Sequence, residues 1–135
     1  MRKYKDASEI QEQLRYCTGT QSYHRISPFA RKVVATDGVV QMAQLCGAFW
    51  LASDIALHSQ SIAKKHEDGK YFQAWKFTAK DRKGTLVGTD GNGNVYQTEE
   101  YDMTDFPLDE IDIWVEPTYM ESEGEILVMM LPTEH

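Results

Sequence analysis

Residues 36–63 read TDGVVQMAQLCGAFWLASDIALHSQSIA and form the longest stretch of this chain with a sustained helical period. Their apolar residues recur every three or four positions, which is typical of helices with one buried side. Thr36 and Asp37 are favourable residues for a helix start. Gly47 interrupts the pattern, and glycine costs about 1 kcal/mol inside a helix. The pattern therefore predicts two helices that meet at Gly47, with one bent helix as the alternative.

The hydrophobic period changes from helical to alternating near Gly69, which indicates a sheet in the rest of the chain. Residues 71–80 alternate, with Trp75, Phe77 and Ala79 on one side. The turn sequence DGNGN at 90–94 predicts a hairpin. The continuous apolar run at 126–131 is typical of a central strand covered on both sides. We predict a single α+β domain spanning 1–135, with a helical part at about 1–68 and a sheet part at about 69–135. Its sheet is expected to have about five mostly antiparallel strands, with the N-terminal helices packed on one face.

Two further features of the first half bear on the core and on the location of the protein. A short helix is expected from Ser8 to about residues 18–19, and Phe49 and Trp75 are expected in the core. The N-terminus shows no apolar region of a signal peptide, and the apolar run 46–52 is too short to span a membrane. We therefore expect a cytoplasmic protein with reduced cysteines, and no membrane partner.

Charge is distributed unevenly along the chain, whose net charge is −7. All 14 Lys and Arg residues lie at or before Lys83, together with 8 of the 21 acids, so this part carries +6. Residues 84–135 hold the other 13 acids and no Lys or Arg. Solvated surfaces usually interleave both signs. The imbalance and a pI near 5.0 argue against direct nucleic-acid binding and indicate a basic partner or internal neutralisation.

Seven short segments, in this order, resemble a small family of bacterial, phage and plasmid proteins that is classed only as a domain of unknown function. They are TGT at 18–20, TDGV at 36–39, GAFWL at 47–51, FQAWKF at 72–77, DGNGN at 90–94, TDFPL at 104–108 and ILVMMLPTE at 126–134. The resemblance covers nearly the whole chain. It implies a stand-alone domain and a link to mobile elements, and it carries over no catalytic residue.

Several residue patterns suggest chemistry, and each has a simpler structural interpretation. The acids and amides of 90–94 start like a calcium loop, but Val95 and Tyr101 replace the glycine and glutamate that such a loop needs. Cys46 lies among apolar residues, which favours a buried structural thiol over a nucleophile. No catalytic residue and no cofactor is predicted. The alternative is an uncharacterised enzyme or metal protein that uses His24, Asp37, Asp54 and His58.

The acidic half carries the main functional prediction. In the strand around 110–116 one face holds Trp114 among carboxylates, which is the composition of a contact surface with an aromatic anchor. We expect a non-enzymatic interaction protein that docks on a basic protein surface, in a sharper form a nucleic-acid mimic that inhibits a host defence or nucleic-acid-binding complex. The alternatives are internal neutralisation of the basic half and a structural or self-assembling domain. The predicted partner-binding residues are Glu99, Glu100, Asp102, Asp105, Asp109, Glu110, Asp112, Trp114 and Glu116.

Overall fold

The computed structural model describes residues 7–15 and 22–135. Several parts of the sequence lie outside the described residues: the predicted end of the first helix, Cys17, the TGT segment, and the basic residues Arg2, Lys3 and Lys5. Within them the chain forms three α-helices and seven β-strands. The helices are α1 (Ala7–Arg15), α2 (Asp37–Cys46) and α3 (Phe49–Lys65), and the strands are β1 (Tyr23–Arg25), β2 (Val33–Thr36), β3 (Gln73–Lys80), β4 (Lys83–Thr89), β5 (Val95–Tyr101), β6 (Glu110–Met120) and β7 (Gly124–Met130).

Two helices occupy the central stretch, as predicted. The Thr36 side chain accepts a hydrogen bond from the Val39 amide and caps the start of α2. Gly47 then adopts φ 62°, a left-handed conformation that ends a helix and that glycine tolerates best. Because α3 begins two residues later, the chain changes direction at this glycine.

The sheet has seven strands in the order β1-β2-β7-β6-β3-β4-β5. The α+β class is confirmed, whereas the prediction of about five strands is wrong. Five of the six neighbouring pairs are antiparallel, and β2 pairs with β7 in parallel. The two strands absent from the predicted sheet, β1 and β2, are only three and four residues long. The sequence predicts a loop or short strand at 23–25 and an extended segment at 33–35. Segments this short show too few alternations to be assigned to a sheet, and β2 joins it by pairing with a strand distant in sequence.

The main core lies between α2, α3 and one face of the sheet, which we call the inner face. Trp75 is 1% exposed and Phe77 is equally buried, so the alternation predicted for β3 is confirmed. Phe49 is 45% exposed, which makes its predicted core position wrong. It is the first residue of α3, and the buried side of that helix runs instead through Leu51 and Ile55.

The opposite face of the sheet, the outer face, changes in character from one side to the other. On β2 and β7 it carries a small apolar cluster of Val34, Ile126 and Val128. The predicted central strand is confirmed, since β7 lies inside the sheet and its residues 126–129 are all buried. On β6, β3, β4 and β5 none of the described outward-facing residues is buried. In the described part of the chain no helix is long and apolar enough to cross a membrane.

Candidate interaction surface

Trp114 lies on the outer face of β6, directly opposite Ala74 of β3 and Met130 of β7. Its ring makes edge contacts with two neighbours, Phe72 at 5.6 Å and His135 at 5.4 Å between centroids. The indole is partly exposed, and its cross-strand neighbours Ala74 and Met130 carry no aromatic ring or charge. These contacts restrict the ring without covering it, which is the arrangement of an aromatic anchor.

Two of the predicted carboxylates beside Trp114 share one lysine from the neighbouring strand. Lys76 of β3 contacts Glu110 at 2.8 Å and Asp112 at 3.5 Å. The hydrogen bond that Lys76 donates to Glu110, followed by the negative charge of Asp112, raises the pKa of Lys76 above its usual range. Because the Lys76 side chain is 51% exposed, water screens both ion pairs and each contributes little to stability.

Glu116 lies on the other side of Trp114 along the same strand. Its carboxylate is 2.5 Å from Nε2 of His135, so the two form an ion pair when the imidazole is protonated. Residues two apart in a strand are spaced by about 7 Å on one face. The strand β6 therefore presents a row of Glu110, Asp112, Trp114 and Glu116. We call this row, with its neighbours Phe72, Lys76 and His135, the Trp114 surface.

The other five predicted residues do not belong to this row, although Asp109 directly precedes Glu110. Glu100 is on the outer face of β5, three strands from β6, which corresponds to about 14 Å. Glu99 is on the inner face of β5, where Nε2 of His58 is 3.6 Å from its carboxylate. The remaining three, Asp102, Asp105 and Asp109, are exposed between β5 and β6. The structure thus brings together four of the nine predicted residues.

Three members of the Trp114 surface were missed by the sequence prediction. Phe72 and Lys76 belong to the alternating pattern of residues 71–80, so their common face was readable. The pairing of β3 with β6, which puts them beside Trp114, was not readable because either strand can pair with several others. His135 carried no pattern at all.

Ser22, His24 and Asp37 meet where α2 begins. Asp37 lies 2.7 Å from Nε2 of His24, and the Ser22 hydroxyl lies 2.9 Å from Asp37 and 3.2 Å from the same Nε2. A catalytic triad uses one imidazole nitrogen for the hydroxyl and the other for the carboxylate. Since both contacts here involve Nε2, the arrangement is a hydrogen-bonded cluster and not a proton relay.

Asp54 and His58 point to separate partners on β5. The Tyr101 hydroxyl donates a 2.6 Å hydrogen bond to Asp54, while His58 stacks on Trp75 at 6.0 Å and approaches Glu99. Burial, and then the hydrogen bond to Asp54, raises the pKa of Tyr101. Among residues 7–15 and 22–135, no three His, Cys, Asp or Glu side chains are grouped to hold a metal ion. The pair therefore joins α3 to the edge strand.

The DGNGN turn has a structural explanation that needs no ion. Asp90 accepts hydrogen bonds from the amides of Asn92 and Asn94 and from the Asn94 side chain at 2.6 Å. These hydrogen bonds, that of the Asn94 side chain first, lower the pKa of Asp90. Gly91 and Gly93 have positive φ, as the turn requires. The predicted hairpin between β4 and β5 is confirmed.

Cys46 should be unreactive in the folded protein. The side chain is 1% exposed, and burial raises its pKa to about 12, so almost no thiolate exists at neutral pH.

We expect a Cys17→Ser variant to show no reaction with Ellman's reagent when native and one reactive thiol in guanidinium. Between the pKa of a free thiol and about 12, rising pH should destabilise the fold, because only the unfolded thiol ionises there. Rapid reaction of the native variant at pH 7 would revive the nucleophile hypothesis.

A family model described as a family of unknown function, DUF6876, matches residues 8–135. No curated protein and no solved structure matches the chain. The match spans nearly the whole sequence, including both helices of the central stretch and every strand described above. The chain therefore belongs to the family of unknown function DUF6876.

Proposed function

We propose that this protein is a cytoplasmic, non-enzymatic interaction protein that binds a basic protein segment through the Trp114 surface. The observation that carries the proposal is the partly exposed indole of Trp114 on a sheet face away from the helices, within a row of three carboxylates. At protein interfaces, central aromatic residues contribute much of the binding energy, and a polar or charged rim surrounds them.

The chemistry of the row favours a partner rich in arginine or lysine. An arginine side chain can stack on the Trp114 ring and also donate paired hydrogen bonds to a carboxylate such as Asp112 or Glu116. The existing pairs of these carboxylates with Lys76 and His135 are exposed or partly exposed to solvent and therefore weak. A partner's cations can displace them at little cost in free energy.

The sharper form of the proposal is that the partner is itself a nucleic-acid-binding protein and that this chain inhibits it. A basic nucleic-acid-binding surface is built to receive closely spaced negative charges, and carboxylates can substitute for phosphates there. The absence of Lys and Arg after Lys83 and the resemblance to proteins of mobile elements support this form. The other five predicted acids, which are exposed or partly exposed, extend the negative field of the Trp114 surface and speed encounter with the partner.

Internal neutralisation remains the second candidate, and one observation favours it. Lys76 lies between Glu110 and Asp112, so part of the acidic half is already balanced by the basic half. In that case the carboxylates serve the stability and solubility of the domain alone. The two candidates differ in what charge reversal on β6 changes: partner binding in the first, folding stability in the second.

Trp114→Ala should speed dissociation of the partner at least about tenfold, because an anchor acts on the bound state. A photo-crosslinking residue at Phe72, which contacts Trp114, would capture the partner in cells, and the purified partner would then be used for rate measurements. Glu116→Lys and added salt should instead slow association, since both weaken electrostatic steering.

Matched controls come from the same strand and the neighbouring turn. Tyr119→Ala removes an exposed aromatic residue from the other face of β6, and Glu121→Lys reverses an exposed acid in the β6–β7 turn. Tyr119→Ala should leave the dissociation rate unchanged, and Glu121→Lys should slow association less than Glu116→Lys does. If Glu116→Lys lowers the melting temperature while binding stays unchanged, the acidic row serves the fold and the docking proposal is wrong.

A further inference from the structure

A groove of about 210 Å³ lies between the C-terminal half of α3 and the start of β7, away from the Trp114 surface. Ala63, Ile126 and Leu127 supply apolar lining. Three lysines from three different segments also line it: Lys32 before β2, Lys64 in α3, and Lys70 after that helix. The groove therefore combines an apolar surface with three cationic residues, in a protein whose net charge is negative.

Hydrogen bonds hold the walls of the groove in place. Gln60 of α3 accepts from the Lys32 amide at 3.0 Å and donates to the Phe29 carbonyl at 3.2 Å, which ties the helix to the segment before β2. The Lys32 carbonyl in turn accepts from the Leu127 amide at 2.8 Å. Such bracing means that a ligand would enter a preformed site and lose little free energy in ordering it.

The charges at the groove favour an anion. Lys64 forms no ion pair with any described residue, and Lys70 has one exposed contact, with Glu67 at 3.6 Å. Among the described residues, the Lys32 side-chain amine donates to a backbone carbonyl, that of Glu123 at 3.4 Å, and pairs with no carboxylate. Glu125 is the one acid in the lining, so the lining carries three positive charges and one negative charge.

We propose that this groove binds a short carboxylate with an apolar tail. The carboxylate would lie among the lysine amines, and the tail would cover Ala63, Ile126 and Leu127. The volume is below the roughly 300–1,000 Å³ of pockets for drug-sized ligands, so the occupant is small. This binding site is independent of the docking surface proposed above, and neither depends on the other.

Hexanoate is the probe that tests the proposal, with binding followed by calorimetry and by amide shifts in the NMR spectrum of the full chain. We expect saturable binding with the largest shifts at residues 63–64 and 126–127. Butanoate should bind about tenfold more weakly, because it lacks two methylene groups that the apolar lining would cover. Hexylammonium should not bind, since it reverses the charge at the head of the ligand.

Variants separate a specific site from general attraction. Lys64→Gln should weaken hexanoate binding at least about fivefold, and Glu125→Gln should strengthen it about twofold or more, since each changes one charge at the groove. Lys83→Gln, which removes an exposed lysine on β4, should leave binding unchanged. Ala63→Met should block the tail while preserving the helix.

Three results would overturn the proposal. The first is equal loss of binding in Lys64→Gln and Lys83→Gln, which would mean nonspecific attraction. The second is no saturable binding by hexanoate at 20 mM. The third is a concentration-dependent dimer that Lys64→Gln dissociates and hexanoate does not, which would make the groove an interface between copies of the chain.

Discussion

Trp75→Ala should lower the free energy of unfolding by about 3–5 kcal/mol, the range for removing a large aromatic side chain from a core. The indole is 1% exposed and lies so close to Gly88 of β4 that a Cβ there would be 2.6 Å from the ring. Surrounding groups are held by the sheet and by α3, so they can fill the cavity only in part. For a domain of ordinary stability this is a large fraction of the total.

A polar contact adds to the cost of losing Trp75. The indole N–H donates to Oε1 of Gln73 at 2.9 Å, and Gln73 is itself fully buried. Its side-chain amide donates to the carbonyls of Ser59 and Gly69, so it links β3 to the end of α3 and the turn that follows. Without the indole, Oε1 of Gln73 loses its donor inside the core, which is costly.

Urea denaturation of two further variants checks this account. Trp75→Phe should lose less free energy of unfolding than Trp75→Ala, because it keeps an aromatic ring in the core. It should still be less stable than the unchanged protein, because it lacks the N–H that donates to Gln73. Phe49→Ala should cost less than about 1 kcal/mol, since Phe49 is 45% exposed. Equal losses from Trp75→Ala and Phe49→Ala would contradict the inner face described for the sheet.

Glu134→Ala should lower the free energy of unfolding by about 2 kcal/mol, an unusual effect for a residue so close to the end of the sequence. Its carboxylate accepts three hydrogen bonds: from the Thr36 hydroxyl at 2.6 Å, the Leu131 amide at 2.9 Å and the Gly38 amide at 3.1 Å. Two of these donors lie at the start of α2, where the helix dipole also favours a negative charge.

The contact is also sterically selective. A Cβ at residue 38 would lie 2.5 Å from the Glu134 carboxyl group, so glycine there leaves the space that the carboxylate occupies. Gly38→Ala should therefore weaken the same contact from the other side. Combined with Glu134→Ala it should cost less than the sum of the two single changes, because both remove one interaction.

Urea denaturation of Glu134→Gln and Glu121→Ala completes the test. The glutamine variant should lose less stability than Glu134→Ala, because its amide keeps one acceptor oxygen. It should still lose some stability, because it lacks the negative charge. Glu121→Ala removes an exposed acid from the β6–β7 turn and should be neutral within about 0.5 kcal/mol. If Glu134→Ala is as stable as the unchanged protein, the 3₁₀ turn Pro132–Glu134 does not hold α2.

The sequence by itself determined the local elements. The positions of α2 and α3 followed from Thr36, from Gly47 and from apolar residues spaced three or four apart. Capping and helical period depend on residues close together in the chain, so the sequence shows them directly. The alternation of residues 71–80 and the DGNGN turn were enough for β3 and the β4–β5 hairpin for the same reason. The outward position of Trp114 also followed from alternation alone.

Only the tertiary structure decided which of these elements meet. Three contacts leave no periodic signal in the sequence. They are the parallel pairing of β2 with β7, the position of Lys76 between two carboxylates, and the contact of Glu134 with Thr36, 98 residues away. Each depends on strand register and on segments distant in the sequence that meet only when the sheet forms. For this reason the acidic half could be recognised from the sequence, while its division into a Trp114 surface and separate outlying acids could not.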